Sequence, residues 1–215
     1  MIPVPRLPDL DFEKGAAGMP PGHDALALAR AVNLTPGMRV LDLGTGQGAI
    51  ALMLAARERV CVTGVEREPG VIAIARRNGV RNASLLRGSV RWVVADVRAL
   101  PWGRPGFDLV VMNPPYCRRG EGRLSPEPAR AAARHEVHGS LGDWVRAAAM
   151  SLRPGGQAAC VHLPRRCAEI VGLLEAGGFE DIVVKPAETL DHGSPAWSII
   201  QARLVKERER ATTSL

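Results

Sequence analysis

Lysine is nearly missing from this chain: Lys14, Lys185 and Lys206 stand alone in a lysine and arginine total of 28. The basic surface is therefore arginine, whose planar fork suits phosphates and stacked bases; GC-rich coding would raise arginine as well. Aromatic residues make up 4%, and Tyr116 is the only tyrosine. No apolar run approaches the length of a bilayer span, which excludes a helical membrane protein and leaves no membrane partner expected. Cys61, Cys117, Cys160 and Cys167 form no C-x-x-C pair and have no histidine at ligand spacing, which argues against zinc; three of them read as small core residues. His135 and His138 lie close together, but no third ligand follows, so no metal is expected. Met1 to Asp11 carries prolines and acids where a signal peptide would need an apolar stretch, so the expected location is cytoplasmic and reducing.

What is present bounds the fold. A chain of 215 residues, 46% hydrophobic and 23% charged, suits one α/β domain with a sizeable core. The net charge of +6 points to an acidic partner, because surplus positive charge attracts polyanions before specific contacts form. Residues 1–22 are rich in proline and glycine and read as an irregular arm, 23–205 as the domain, and 206–215 as a charged tail.

The stretch around which the domain is organised is Asn113-Pro114-Pro115-Tyr116, directly after the apolar run Phe107 to Met112. That run is short and β-branched, as a buried parallel strand should be, and two prolines end it by removing backbone donors. A polar turn at a strand's carboxyl end lies where open α/β sheets bind ligands. The Asn113 side-chain oxygen and the Pro114 carbonyl offer two acceptors for the hydrogens of a planar amine, and Tyr116 can stack on the ring that carries it.

Upstream, Ala25 to Ala31 reads as a helix with Asp24 as its N-cap. Arg39 to Leu43 is the first strand, and Gly44-Thr45-Gly46-Gln47-Gly48 leads into a helix over Ala49 to Arg57. Glycines at such a turn let the backbone approach a ligand closely, and the helix N-terminus offers free N–H groups. A second strand, Val60 to Val65, ends at Glu66, about twenty residues on, where an acid can take ribose hydroxyls. The G-x-G-x-G spacing favours an adenosyl cofactor without a pyrophosphate. Val71 to Arg77 should be helical, stopped by Asn78-Gly79; Trp92 to Ala95 is the third strand, ending in Asp96, a candidate for the adenine amine. Leu141 to Leu152 is a helix, Pro154-Gly155-Gly156 a turn, and Gln157 to Leu163 the fifth strand. A helix from about Arg165 to Ala176 precedes two closing strands, Phe179 to Lys185 and Trp197 to Val205.

The set Leu41 to Gly48, Glu66, Asp96 and Asn113 to Tyr116 resembles the class I S-adenosylmethionine-dependent methyltransferases that modify amino groups. Two further stretches, Gly22 to Ala29 and Ala133 to Asp143, are similar to the tRNA adenine-N6 methyltransferase family acting beside the anticodon of valine tRNA. The resemblance implies an α/β, Rossmann-like class I methyltransferase fold: a seven-stranded, mostly parallel sheet with an antiparallel C-terminal strand. It implies S-adenosyl-L-methionine held by Asp42, Gly44, Thr45, Gly46, Gly48, Glu66, Asp96 and Asn113. It also implies a catalytic turn of Asn113, Pro114, Pro115 and Tyr116.

Between Tyr116 and Ser140 a long polar segment carries Arg118, Arg119, Arg123, Arg130 and Arg134. Arginines so near the reactive amine suit phosphate binding, and Arg118, Arg119, Arg123, Arg134 and His135 are the candidate substrate contacts. The expected activity is transfer of a methyl group to an adenine N6 amine in RNA, tRNA above all. Rivals are a protein-glutamine N5 methyltransferase, whose release-factor members place a helical domain before the glycine loop, a guanine-N2 ribosomal RNA methyltransferase, and a non-catalytic RNA-binding scaffold. With no separate RNA-recognition domain in view, RNA recognition would use the catalytic domain, a homodimer mate or a partner.

Overall fold

The computed structural model describes residues 9–13, 22–103, 106–117, 139–187 and 196–205. Its strands are β1 (Arg39–Leu43), β2 (Cys61–Glu66), β3 (Ser89–Val94), β4 (Phe107–Met112), β5 (Leu152–His162), β6 (Phe179–Pro186) and β7 (Ser198–Leu204). They form one sheet in the order β3-β2-β1-β4-β5-β7-β6. β1 to β5 run parallel, whereas β7 is antiparallel to both β5 and β6. This is the seven-stranded Rossmann-like arrangement the sequence implied.

Strand side chains alternate faces, so a buried parallel strand must be apolar on both. Val40, Val62, Leu109, Val111, Ala159 and Val161 build one core with helices α1 (His23–Ala31) and α2 (Ala49–Arg57). Leu41, Leu43, Val110, Met112, Ala158 and Cys160 build the other with α4 (Leu141–Ser151) and α5 (Cys167–Ala176). α3 (Pro69–Arg81) flanks the β2–β3 edge. Each large side chain buried in these layers contributes about 1.5–3 kcal/mol.

Four local expectations are corrected. Gly22, not Asp24, is the N-cap of α1; Asp24 lies in the first turn, and its Oδ1 accepts from the Ala25 amide at 2.8 Å. α3 runs through Asn78-Gly79 to Arg81 because Asn78 is buried and bonded on both ends of its amide. Its Nδ2 donates to the Gln47 carbonyl at 3.0 Å and its Oδ1 accepts from Glu13 N at 2.8 Å. Pro154-Gly155-Gly156 lies within β5 as a bulge: between two matched positions β4 advances from Phe107 to Leu109 while β5 advances from Leu152 to Gln157. Gly155 takes a φ of 78° there, and Pro154 has no amide to leave unpaired. Finally, Pro164–Arg166 is a separate 3-10 turn ahead of α5.

The irregular segment 9–13 is fastened to α3. Asp11 N donates to Asn82 Oδ1 at 2.8 Å, Asn82 Nδ2 donates back to the Asp11 carbonyl at 2.7 Å, and Arg77 pairs with Glu13 at 2.6 Å. The other residues of the expected arm up to Pro21, and the tail 206–215, lie outside the described residues.

Candidate active site

β1 sits between β2 and β4, whose helices cover opposite faces of the sheet, so the carboxyl ends of these strands open onto a crevice at a topological switch point. Asp42 and the glycine turn stand at the end of β1, Glu66 ends β2, Asp96 follows β3, and Asn113 follows β4. Sequence-distant polar residues thus share one edge.

Two tryptophans brace the glycine turn, Trp144 from one core layer and Trp92 from the other. A Cβ on Gly44 would fall 2.3 Å from the Trp144 ring, and one on Gly48 would fall 2.5 Å from the Trp92 ring. Both glycines also have positive φ, 65° and 87°. They are therefore needed for close packing against these rings as much as for the approach of a ligand. Gly46, with φ 55°, is different: no atom lies within 4 Å of a Cβ placed on it, so its backbone is the part that faces open space. Gly64 on β2 completes the tryptophan slot, since a Cβ there would lie 2.7 Å from Trp92. Neither tryptophan, nor Gly64, was a site residue by sequence; the register pairing of Gly64 with Trp92 exists only across the sheet.

Asp42 is fully buried. Its Oδ2 accepts from Thr45 Oγ1 at 2.6 Å and from the Ala51 amide, in the first turn of α2, at 3.1 Å. Burial pushes its pKa up to about 7 despite these bonds. Its Oδ1 is buried with no hydrogen-bond partner among the described residues. Glu66 accepts from Gly46 N at 3.2 Å through Oε2, and from Arg67 N at 2.8 Å and Glu68 N at 3.2 Å through Oε1. Asp96 is already paired: Arg98 grips both its oxygens, at 2.9 and 2.7 Å, and the Arg98 hydrogen bond holds its carboxyl below the usual range. An adenine amine there would have to share an oxygen with that arginine.

The Asn113 turn is held from far along the chain. Asn113 Nδ2 donates to Asp24 Oδ2 at 3.0 Å, and the Tyr116 hydroxyl lies 2.8 Å from Asn113 Oδ1 and also contacts Asp24 Oδ2. His162, at the end of β5, is buried; burial lowers its pKa to about 4, so the ring is neutral at pH 7. Its Nε2 lies 3.3 Å from the Pro115 carbonyl, which can only accept, so the proton sits on Nε2. The same ring meets Tyr116 edge to face, with centroids 5.2 Å apart. Asp24 and His162 are the residues that sequence reasoning missed. Arg118, Arg119, Arg123, Arg130, Arg134 and His135 lie outside the described residues.

A family description for a methyltransferase domain matches residues 40–156, from the glycine turn through the Asn113 turn into β5. The tRNA1(Val) (adenine(37)-N6)-methyltransferase of Tolumonas auensis is 32% identical over 170 residues, 78% of this chain and 69% of that protein. The chain is a class I methyltransferase of that family. The release factor glutamine methyltransferase of Geobacter sulfurreducens is also similar, 34% identical over 80% of this chain and 62% of that one. Among solved structures, a predicted O-methyltransferase from Agrobacterium tumefaciens superposes with a TM-score of 0.63 at 26% identity, covering 86% of this chain and 82% of that one.

The methyl donor of this methyltransferase is S-adenosyl-L-methionine. The residues present fit it. The donor is cationic, and the unpartnered buried Oδ1 of Asp42 is an acceptor waiting for a positive or N–H group. The open face of Gly46 leaves room for a ligand, and Glu66 beside it suits hydroxyls. Among the described residues no cluster suited to a metal ion occurs, and no helix is long and apolar enough to cross a membrane.

Proposed function

We propose that the methyltransferase modifies the exocyclic N6 amine of an adenine in RNA, in tRNA near the anticodon. The observation that carries the reading is the Asn113 turn at the carboxyl end of β4, followed in sequence by five arginines within Arg118 to Arg134. The turn supplies acceptors for a planar amine, and the arginines supply a phosphate-binding segment next to it. Similarity to the adenine-N6 enzyme of Tolumonas supports the same choice.

Asn113 Oδ1 has two lone pairs. The single Tyr116 hydroxyl proton is shared between Asn113 Oδ1 and the Asp24 carboxylate, so Asn113 Oδ1, with the Pro114 carbonyl, keeps acceptor capacity for the two amine hydrogens. Holding both hydrogens aims the nitrogen lone pair out of the plane of the turn, and orientation of this kind is where a transferase gains most. Bound S-adenosylmethionine supplies an electrophilic methyl group. The methylated amine is briefly cationic and acidic, so it loses its proton without a strong base. A base must leave its stack to enter such a turn, which favours loop RNA over a duplex.

A second reading has its own support. The glutamine methyltransferase similarity is of the same order, and a side-chain amide presents the same pair of hydrogens as N6 of adenine. Tritium transfer from labelled S-adenosylmethionine into total tRNA, ribosomal RNA and protein, followed by mass spectrometry, separates the two. Label recovered as N6-methyladenosine in tRNA is the expected result; label in a protein band overturns it.

A further inference from the structure

Asp24 lies outside the segment matched by the methyltransferase domain description and sits on α1, 89 residues before Asn113. We propose that Asp24 is a positioning residue of the methyl-transfer site: its carboxylate decides which way round the Asn113 amide stands and anchors the Tyr116 hydroxyl beside it. The proposal rests on the reading of Asn113 as the amine-binding residue.

The two ends of an amide have nearly the same shape and opposite hydrogen-bonding character. If Asn113 stood the wrong way round, its NH2 would face the incoming amine, donor against donor. An ionised carboxylate has no proton to give, so only the Nδ2 end of Asn113 can face it. Asp24 Oδ2 takes that Nδ2 at 3.0 Å, and Oδ1 is thereby turned away to act as an acceptor. The same Oδ2 contacts the Tyr116 hydroxyl, which lies 2.8 Å from Asn113 Oδ1, closing a ring of three side chains. All of these contacts are partly buried, where losing an acceptor costs more than at the surface.

The carboxylate is itself fixed. Its Oδ1 receives the Ala25 amide at 2.8 Å, and α1 is anchored by Leu28 and Ala29, both fully buried, and by Arg57, whose Nη2 donates to the Val32 carbonyl at 3.1 Å. A separate feature of the chain keeps room for it. A Cβ on Gly22 would lie 2.2 Å from Asp24 Oδ1 and open space would no longer exist for this rotamer. Gly22 has a φ of −67°, which any residue can adopt, so the absence of a side chain there serves Asp24 and not the backbone.

The test uses the purified full chain with Asp24→Ala, Asp24→Asn and Gly22→Ala. In tritium transfer to tRNA, Asp24→Ala is expected to lower kcat by about 10²-fold, the cost of a small misplacement of reacting groups. Affinity for S-adenosylmethionine by calorimetry should stay within about twofold. Gly22→Ala, which displaces the carboxylate without removing its charge, should fall in the same direction by a smaller factor. Combined with Tyr116→Phe, Asp24→Ala should cost less than the product of the two single effects, because both act on one ring of contacts. A merely structural role would lower thermal stability and leave kcat of the folded fraction alone.

A readout independent of substrate is the near-ultraviolet absorption band of Tyr116, the only tyrosine, which moves to shorter wavelength when its hydroxyl loses a charged acceptor. Burial and the Asp24 charge both hold its phenol above the ordinary range, so it stays protonated in the folded protein; among the described residues Asn113, Cys160 and His162 are the other polar groups around it. Asp24→Asn should move the Tyr116 band to shorter wavelength in a difference spectrum against the parent. Turnover of Asp24→Ala within twofold of the parent overturns the proposal. If the parent labels no RNA, the substrate reading fails separately, and an unshifted Tyr116 band in Asp24→Asn then overturns the positioning role.

Discussion

The glycine turn and the Asn113 turn open onto the same sheet edge, yet they are held in opposite ways. At the glycine turn the polar contacts stay within 31 residues in sequence: Thr45 to Asp42 spans 3, Ala51 to Asp42 spans 9, Gly46 to Glu66 spans 20, and Asn78 to Gln47 spans 31. At the Asn113 turn only the Tyr116–Asn113 contact, 3 residues apart, is local among those described; the others span 89 residues to Asp24 and, from Pro115 to His162, 47. A site built on one strand–turn–helix unit can hold a cofactor largely by local geometry. A site that must orient a substrate amine borrows side chains from α1 and β5, where the finished fold delivers them. Damage to the first should therefore appear as lost stability or cofactor affinity, and damage to the second as lost turnover.

The sharpest form of that contrast is Asn113→Ala. Turnover should drop by about 10³-fold, on the order of 4 kcal/mol, with S-adenosylmethionine affinity little changed. An equal loss of affinity by calorimetry would break the comparison. Next in size is Gly44→Ala, which meets Trp144 at 2.3 Å with φ at 65°. Strain and overpacking together should cost about 3 kcal/mol, seen as a fall in Tm of roughly 6–12 °C.

Asp42→Asn tests the buried carboxylate through pH. The folded group titrates at about 7 against an ordinary 3.8, so between these values the native state holds more protons than the unfolded one. Its contribution to stability is greatest at the acid end and is lost as pH rises towards 7, by up to about 1.4 kcal/mol per pH unit. His162 works against it: folded pKa about 4, below its ordinary 6.5, so its contribution grows as pH rises through that interval. The difference between parent and Asp42→Asn isolates the carboxylate. In ligand-free protein the variant's relative stability, by denaturant unfolding, should increase from pH 5 to 7. The smallest effect is expected for Glu66→Ala. Loss of the acceptor beside Gly46 should raise the S-adenosylmethionine dissociation constant roughly tenfold, without a change in kcat at saturating cofactor.

Legibility follows the same divide. β1, α2 and β4 fall at the bounds their patterns indicate, because periodicity, two prolines and a glycine cluster act within a few residues. Two of the misreadings came where a distant partner intervened. Asn78-Gly79 stops a helix in isolation, but here the Asn78 amide is occupied by Gln47 and Glu13, and the helix continues. Asp24 has the composition of an N-cap, but its carboxylate serves Asn113 and Tyr116. Gly44 and Gly48 read as ligand-approach residues, and the tryptophans packed against them come from α4 and β3.

The sequence by itself determined the element types, the strand ends that carry Asp42, Glu66, Asp96 and Asn113, and the class of chemistry those residues suit. Backbone dihedral limits and hydrophobic periodicity are local, and a short window contains them. Only the tertiary structure decided that Asp24 and His162 close on the Asn113 turn, that Arg98 already occupies Asp96, and that two tryptophans support the glycines. Those facts depend on which strand lies beside which and on which helix covers each face, and such pairings arise when the apolar surfaces of the whole chain are buried together.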